Sequence, residues 1–373
     1  MTISTRYWLA IIFFIIVNQI HATNFEDISQ KDPIVIKING TFFSTPAKTH
    51  CNKVFIASHN THLYCFDNKG SLINSYKTKG WIHATPAQLS NNVVGIGSYD
   101  GHFYFFDNNG NFQKHIRPKG FIFTNPIKFG EEIVFGSNKR VVFYHPGKDS
   151  LSYLRVRRLA HGSPMITSDS SLIIGTNGGR LYFINSDKEI EHIFKTKGWI
   201  IHSQAIETYD QLIVVGSYDK HLYALNKSGE IVWKYKTEGR IHATPLQMPD
   251  SSIIFGSFDK HIYILSPQGE LINKIETEKR IVSSAAIIND SIAVVGSYDN
   301  HLYFISTKGE LLGKYNAKGK IFSSPIVLSC GTIFCCTTKG SLHFLPPTCI
   351  AHILDNQKDL LSATNDANHS NIN

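Results

Sequence analysis

The sequence predicts an all-β fold: an eight-bladed β-propeller of four-stranded antiparallel blades, closed by the N-terminal strand, which joins the last blade. Three observations predict this fold. A unit of about forty residues recurs eight times, each unit divides into four short strands, and the two ends of the array complement each other.

One phrase recurs at an almost constant spacing along the chain. Its copies start 40, 39, 39, 41, 40, 40 and 40 residues apart, and a second phrase of the type IHATP ends 10 or 11 residues before each copy. The best copies are GSYDGHFYFFD from Gly97, GSYDKHLYALN from Gly216, GSFDKHIYILS from Gly256 and GSYDNHLYFIS from Gly296, and weaker copies begin at Ala57, Gly136, Gly175 and Cys336. Eight copies of two markers in fixed phase establish an internal repeat.

Each unit is predicted to contain four strands, as its fifth copy shows best. The first strand leads through Ile206, and the others are expected at residues 212–216, 221–225 and 231–235. These segments are rich in Val, Ile, Tyr and Phe, and Gly229 can adopt the positive φ of a tight turn. A β-solenoid has much shorter coils, and a two-sheet sandwich would not keep such even spacing.

The two ends of the array predict how the ring closes. Residues 34–38 resemble the outer strand that precedes every later unit, whereas the last unit ends after Leu345 without an outer strand of its own. We therefore expect residues 34–38 to complete blade 8, which leaves no open edge between the first and last blades.

The segments outside the repeat predict an exported protein, periplasmic or secreted. Residues 1–22 have the pattern of a cleaved signal peptide, with Arg6, an apolar run over residues 7–17 and a small Ala22. That run is too short to span a membrane, and no later segment is long and apolar enough. The propeller is assigned to residues 23–354, and the polar residues 355–373 are expected to form a disordered tail.

The charge and the cysteines indicate what surrounds the chain. Lys and Arg number 37 against 29 Asp and Glu, a net charge of +8 that permits an acidic partner and gives no reason to expect a nucleic acid. All six cysteines lie in the first and last units or just after them. Because those units are neighbours in a closed ring, a Cys51–Cys330 disulfide is predicted; buried free thiols are the alternative.

The repeat GSYDKHLYALNKSGEIVWKYKTEGRIHATP, from Gly216 to Pro245, resembles the pyrroloquinoline-quinone-like (quinoprotein-type) propeller repeat. The resemblance covers residues 34–345. It implies relatives of two kinds: cofactor-dependent alcohol and sugar dehydrogenases, and scaffolds without catalysis. The scaffold closest in size is the eight-bladed propeller lipoprotein of the outer-membrane β-barrel assembly machinery. The chain departs from the repeat in its fourth-strand Trp, which is present only as Trp233.

The evenness of the repeats predicts a non-catalytic binding or scaffold protein that meets a protein or envelope partner on a face or rim. Units of 39–41 residues leave no long insertions from which a pocket could be built. The alternative is a quinone- or metal-dependent oxidoreductase. Cys335–Cys336 resembles the adjacent disulfide of some quinoprotein dehydrogenases, but consecutive strand residues face opposite ways. No catalytic residue, metal ligand or cofactor is predicted.

Histidines give the one candidate binding surface. They occupy two registers, one opening the third strand and one early in the first strand, and both are predicted to lie toward the same face. Such a face could hold a metal ion or an acidic partner; alternatively, each histidine caps a turn or fills a gap between blades, and the aspartates of the phrase are turn residues. The candidate residues are His62, His102, His221, His261 and His301, then His83, His161, His202 and His242, together with Trp81, Trp199 and Arg240.

Overall fold

The computed structural model describes residues 32–355 and confirms the predicted propeller. Eight sheets of four antiparallel strands are arranged in a ring. The predicted signal peptide, residues 1–22, lies outside the described residues, as do residues 356–373 of the predicted tail.

Each blade is a meander in which the first strand lies nearest the axis and the fourth forms the outer edge. Blades 1 to 4 contain, in order, β2 (Ala47–Lys48), β3 (Val54–Ala57), β4 (His62–Phe66), β5 (Leu72–Lys77); β6 (Ala87–Ser90), β7 (Val93–Gly97), β8 (Phe103–Phe106), β9 (Phe112–Ile116); β10 (Ile127–Phe129), β11 (Glu132–Ser137), β12 (Arg140–His145), β13 (Ser150–Arg155); and β14 (Met165–Ile166), β15 (Leu172–Gly175), β16 (Arg180–Ile184), β17 (Ile190–Lys195).

The second half of the ring repeats this pattern. Blades 5 to 8 contain β18 (Ile206–Glu207), β19 (Ile213–Gly216), β20 (His221–Leu225), β21 (Ile231–Lys236); β22 (Leu246–Gln247), β23 (Ile253–Gly256), β24 (His261–Leu265), β25 (Leu271–Glu276); β26 (Ala286–Asn289), β27 (Ile292–Gly296), β28 (His301–Ser306), β29 (Leu311–Asn316); and β30 (Ile326–Val327), β31 (Ile333–Cys336), β32 (Ser341–Leu345), with β1 (Ile34–Lys37) as the outer strand of blade 8.

The core lies between neighbouring blades, which explains the continuous apolar runs of the second and third strands. These strands are covered on both faces, so almost every residue in them is buried. The glycine of the repeated phrase marks the closest approach. A Cβ at Gly97 would lie 2.1 Å from Cγ2 of Ile122, which follows the connection into the next blade. The phrase therefore keeps Gly because a branched side chain from the segment that leads into the next first strand packs directly on it.

The ring closes as predicted. Strand β1 pairs antiparallel with β32, with Ile34 opposite Phe344 and Lys37 opposite Ser341. The Ile38 N–H also donates to the Gly340 carbonyl at 2.8 Å. Blade 8 is thus built from both ends of the described chain.

A collar of hydrogen bonds surrounds the axis, at the position before the Pro or Ala that ends the IHATP-type phrase. At six of the eight blade junctions, a backbone N–H at this position donates to the side-chain oxygen of the same position in the next blade. The donor–acceptor pairs are Thr85–Asn125, Asn125–Ser163, Gln204–Thr244, Thr244–Ser284, Ser284–Ser324 and Ser324–Thr45, at 2.7–3.3 Å. Small polar residues recur here because each one links two blades.

A helix that the sequence reasoning did not predict follows the last strand. Residues 347–355 are helical, and Ile353 and Leu354 pack with Leu312 of the outer strand of blade 7. The neighbouring Gly313 takes the fourth-strand Trp position, and a Cβ there would lie 2.9 Å from Cγ2 of Ile353. Gly313 therefore leaves room for this helix, α1 (residues 347–355). Within residues 32–355, no helix has the length and apolar character needed to cross a membrane.

The predicted Cys51–Cys330 disulfide is absent, and all six cysteines, each within the described range, are free. Cys51 faces blade 2, where the Asn108 amide nitrogen lies 3.6 Å from its sulfur. Cys330 contacts Thr332 of its own turn. Equivalent turns away from the axis do not bring these two side chains together, because each turn is rotated with its blade around the ring. Cys335 and Cys336 pack into different inter-blade cores, as alternation along a strand requires.

Candidate functional site

The predicted histidines occupy two different environments on one side of the ring. This side carries the turns between second and third strands and the connections between blades, and we call it the top face. The third-strand histidines lie in those turns. The histidines predicted early in the first strand lie just before that strand begins, on the propeller axis, and are still called first-strand histidines here.

Each third-strand histidine binds the turn that precedes it. The Nδ1 atom of His221 lies 2.9 Å from the carbonyl oxygen of Asp219, and His261 and His301 repeat this contact at 3.0 Å. His62 does the same with Asn60, whereas His102 contacts the carboxylate of Asp100. These five side chains are half-buried turn caps, which matches the structural alternative stated above.

The aspartates of the phrase do more than turn the chain. The Asp259 carboxylate accepts the backbone N–H of His261 and the hydroxyl of Tyr263 within its own blade. It also accepts the N–H groups of Glu238 and Gly239, at 2.8 and 3.0 Å, from the connection that enters the blade. The turn carboxylate therefore fixes the position of the connection beside it.

The first-strand histidines belong to a ring of eight side chains that fills the channel. Its members are equivalent by repeat: Phe43, His83, Phe123, His161, His202, His242, Val282 and Phe322. The rings are in contact, with centroids 4.4 Å apart for His161 and His202 and 4.8 Å apart for His83 and His202. The cavity beside them has a volume of about 80 Å³.

Direct nitrogen-to-nitrogen hydrogen bonds connect two of these imidazoles to each other and one of them to His59 of blade 1. His59 Nε2 lies 3.0 Å from His83 Nδ1, and His83 Nε2 lies 3.2 Å from His202 Nδ1. Burial lowers the pKa of His83 to about 3, with the nearby histidines adding to the shift. Burial likewise lowers the pKa of His161 and of His242 to about 4. The cluster is therefore neutral at pH 7 and does not supply a positive surface to an acidic partner.

The predicted tryptophans and arginine do lie exposed on the top face. Trp81 is 58% exposed and Trp199 is 51% exposed, and Phe121 occupies the equivalent place in blade 3 at 55%. Arg240 lies over the Tyr218 ring, with its guanidinium carbon 5.3 Å from the ring centroid. The top face therefore has an aromatic surface on blades 2, 3 and 5. Around the ring, blades 6 to 8 follow with Arg240, Arg280 and Lys320, each of which lies over an aromatic ring.

The structure adds a basic groove on blades 3 and 4, which sequence reasoning missed. Three adjoining cavities of about 660, 340 and 410 Å³ share lining residues. No acidic side chain of the described chain lines them, and none of their seven cations forms an ion pair within residues 32–355. The seven cations are Lys139, Arg140, Arg155, Arg157, Arg158, Arg180 and Lys197.

A signal for this groove was present in two of the four weaker copies of the repeat. Blade 3 reads GSNKR and blade 4 reads GTNGGR where the best copies read GSYDxH. In both, the turn aspartate is missing and an arginine, Arg140 or Arg180, replaces the histidine. The other two weaker copies, from Ala57 and Cys336, have no arginine at this position and do not line the groove.

Comparison with known proteins places this geometry in a family. The family model described as the lambda-carrageenase beta-propeller domain matches residues 48–206 and, a second time, residues 206–291. The chain belongs to this family. The family model describes a propeller domain, in agreement with the fold, and the quinoprotein resemblance stays a prediction.

A solved structure shares the fold of this family member. BamB from Moraxella catarrhalis superposes with a TM-score of 0.72 at 13% identity, over 84% of this chain and 98% of that chain. Such low identity establishes the shared fold alone. A search of the curated proteins found no match.

The quinone of the alternative prediction stays a prediction. The axial cavity is lined by the eight axial side chains and by small polar residues of the collar. Cys335 and Cys336 are buried free thiols on opposite faces of β31. Among the residues described, no group of three His, Cys, Asp or Glu side chains is arranged to hold a metal ion.

Proposed function

We propose that this protein is a non-catalytic, exported binding protein that holds an acidic partner protein against its top face. The basic groove is the observation that carries the proposal. Its seven cations have no ion-pair partner in the described chain, and they surround three connected cavities. Clustered cations attract acidic surfaces and accelerate their encounter, so the groove provides both orientation and affinity.

The aromatic side chains beside the groove support a macromolecular partner. Trp81, Phe121 and Trp199 expose half or more of their surface, and aromatic and arginine side chains dominate the energetics of binding surfaces. The even blade length supports a binding role rather than catalysis, because it leaves no inserted loops to enclose a reaction.

The same aromatics favour a second candidate, the binding of an acidic polysaccharide. Flat rings beside cations suit a polymer that presents both apolar surface and negative charge. The family also takes its description from the propeller domain of a lambda-carrageenase. Electrophoresis of the protein through gels containing acidic or neutral polysaccharide tests this candidate, which predicts that the acidic polymer retards the protein and that the neutral polymer does not.

Crosslinking capture from the envelope and secreted fractions tests the first candidate. The groove variant Arg155→Glu/Arg180→Glu is compared with Lys148→Glu/Lys308→Glu, which makes the same charge change at exposed turns of the opposite face. We expect a defined partner protein to be captured by the wild type and the control, to be lost from the groove variant, and to decline with rising salt. Equal recovery of every protein by the groove variant would contradict the proposal.

A further inference from the structure

The central cavity of the basic groove lies between blades 3 and 4. The backbone that lines it is held by different hydrogen bonds from those in the rest of the top face. In blades 2, 5, 6 and 7, a turn carboxylate accepts the N–H of the incoming connection, as Asp219 does for Lys197 at 2.9 Å. The connection into blade 4 uses neutral groups instead. The Arg157 N–H donates to the Tyr182 hydroxyl, and the Leu159 N–H donates to the Asn177 side chain, both at 2.9 Å.

Loss of the carboxylate leaves arginines facing one another across the strands. Arg140 is directly opposite Arg155 in the β12–β13 pair, and Arg180 is directly opposite Lys195 in the β16–β17 pair. Like charges in directly opposed positions destabilise a sheet. Blades 1, 5 and 6 have a histidine in place of the arginine at this position, opposite Lys77, Lys236 and Glu276 respectively.

Five cations converge on the cavity between blades 3 and 4, which has a volume of about 340 Å³. Their hydrogen-bond donors are nearly all free within the described chain. The one side-chain bond among them joins Arg180 Nη1 to the Gly178 carbonyl at 3.2 Å. The five residues are Lys139, Arg155, Arg157, Arg158 and Arg180.

We infer that this cavity is a binding site for a tetrahedral oxyanion, the phosphate or sulfate ester group of a larger ligand. Guanidinium groups bind such oxygens through two parallel N–H bonds, and a tetrahedral group offers three oxygens to donors that converge from several sides. A carboxylate offers two oxygens in one plane and would leave most of these donors unused. An oxyanion also removes the repulsion between the opposed cations. This inference rests on the proposed function and specifies the chemistry that the groove recognises.

Calorimetric titration of the mature protein with pyrophosphate at low salt tests the inference. The variant Arg155→Gln/Arg180→Gln removes two cations from the cavity. The control Arg240→Gln/Arg280→Gln removes two from elsewhere on the top face, where both arginines stack on aromatic rings. We expect about a tenfold weaker Kd for the cavity variant, because each lost charge-assisted hydrogen bond contributes to binding, and little change for the control.

Further titrations test whether the cavity prefers a tetrahedral oxyanion to a carboxylate and which kind of ligand carries the oxyanion. A tetraglutamate peptide should bind more weakly than pyrophosphate; equal binding, or an unchanged Kd in the cavity variant, would overturn the oxyanion assignment. Phosphatidylglycerol vesicles and dextran sulfate then identify the source of the group, and binding of either one supports the site. Unchanged thermal unfolding of each variant shows that the fold is intact.

The capture experiment separates the two proposals. Suppose that pyrophosphate binding is weakened in the cavity variant but the groove variant captures the same proteins as the wild type. The proposed protein partner is then wrong and the oxyanion site stands. If capture depends on the groove but pyrophosphate does not bind, the proposed function stands and the oxyanion site is wrong.

Discussion

At the scale of single residues, the axial position of the repeat shows how the closed ring determines the role of a side chain. The axial position holds histidine in four blades and phenylalanine in three. Every one of these side chains contributes to closing the channel, so an imidazole is used mainly for its shape. Burial lowers the pKa of each axial histidine, and a neutral ring with both nitrogens enclosed needs partners. His161 Nδ1 is buried and has none among the described residues.

Replacement of His161 by Phe should stabilise the protein, most of all in mild acid. The pKa of His161 is about 4 in the folded state and about 6.5 when unfolded, so the unfolded chain binds more protons between these values. The wild type therefore loses stability as pH falls below about 6.5. At pH 5 this linkage amounts to about 2 kcal/mol, which His161→Phe should recover.

Urea denaturation at pH 5 and pH 8 measures this effect. The variant His192→Phe is the control, because His192 is an exposed residue of the outer strand in the same blade. We expect His161→Phe to raise the free energy of unfolding more at pH 5 than at pH 8, and we expect no such difference for His192→Phe. A gain that is independent of pH would mean that packing, and not the proton, is responsible.

At the scale of elements, the outer strand of each blade has one position that decides what covers it. Trp233 fills that position in blade 5, where its Nε1 donates to the Pro267 carbonyl of the next blade at 3.0 Å. In blade 7 the position is Gly313, and α1 occupies the space that a side chain would take. Because Gly313 has no side chain, blade 7 is covered at this position by α1 and not by a side chain that packs between blades.

The substitution Gly313→Trp should displace α1 from blade 7. A Cβ there lies 2.9 Å from Ile353 Cγ2, so an indole cannot be accommodated while the helix stays in place. Displacement exposes Cys349, which is 5% exposed in the native structure. Peptide mapping after thiol labelling should show faster modification of Cys349. The same substitution at Asn273, the equivalent position in blade 6, is the control and should leave Cys349 protected.

At the scale of the whole molecule, the ring depends on one short strand from the N-terminal end. Strand β1 has four residues, with Ile34 and Ile36 turned inward against blade 8 and Val35 and Lys37 turned outward. Because each blade is covered by the next, a defect at this junction exposes the flanks of two blades.

Ile36→Lys should therefore destabilise the whole propeller, whereas Val35→Lys should be nearly neutral. Ile36 packs against the core between blades 8 and 1, but Val35 is 52% exposed. A partly buried isoleucine contributes about 1–2 kcal/mol, and an unpaired ammonium in its place adds a further cost. Thermal unfolding of both variants checks the expectation; equal midpoints would show that β1 does not hold the ring closed.

The sequence by itself determined the blade number, the strand order within each blade and the closing role of residues 34–38. These features follow from local pattern, because strand alternation and turn residues act over a few positions and the repeat multiplies the signal eightfold. The sequence also placed Trp81, Trp199 and Arg240 on the face that exposes them.

Only the tertiary structure decided which repeated residues meet. His83 and His202 are 119 positions apart, yet their nitrogens lie 3.2 Å apart, because the ring directs every first strand toward one axis. Cys51 and Cys330 occupy equivalent turns and remain apart, because the same rotation separates positions away from the axis. The basic groove arises likewise, since cations of two degenerate repeats meet across a blade boundary that no single repeat contains.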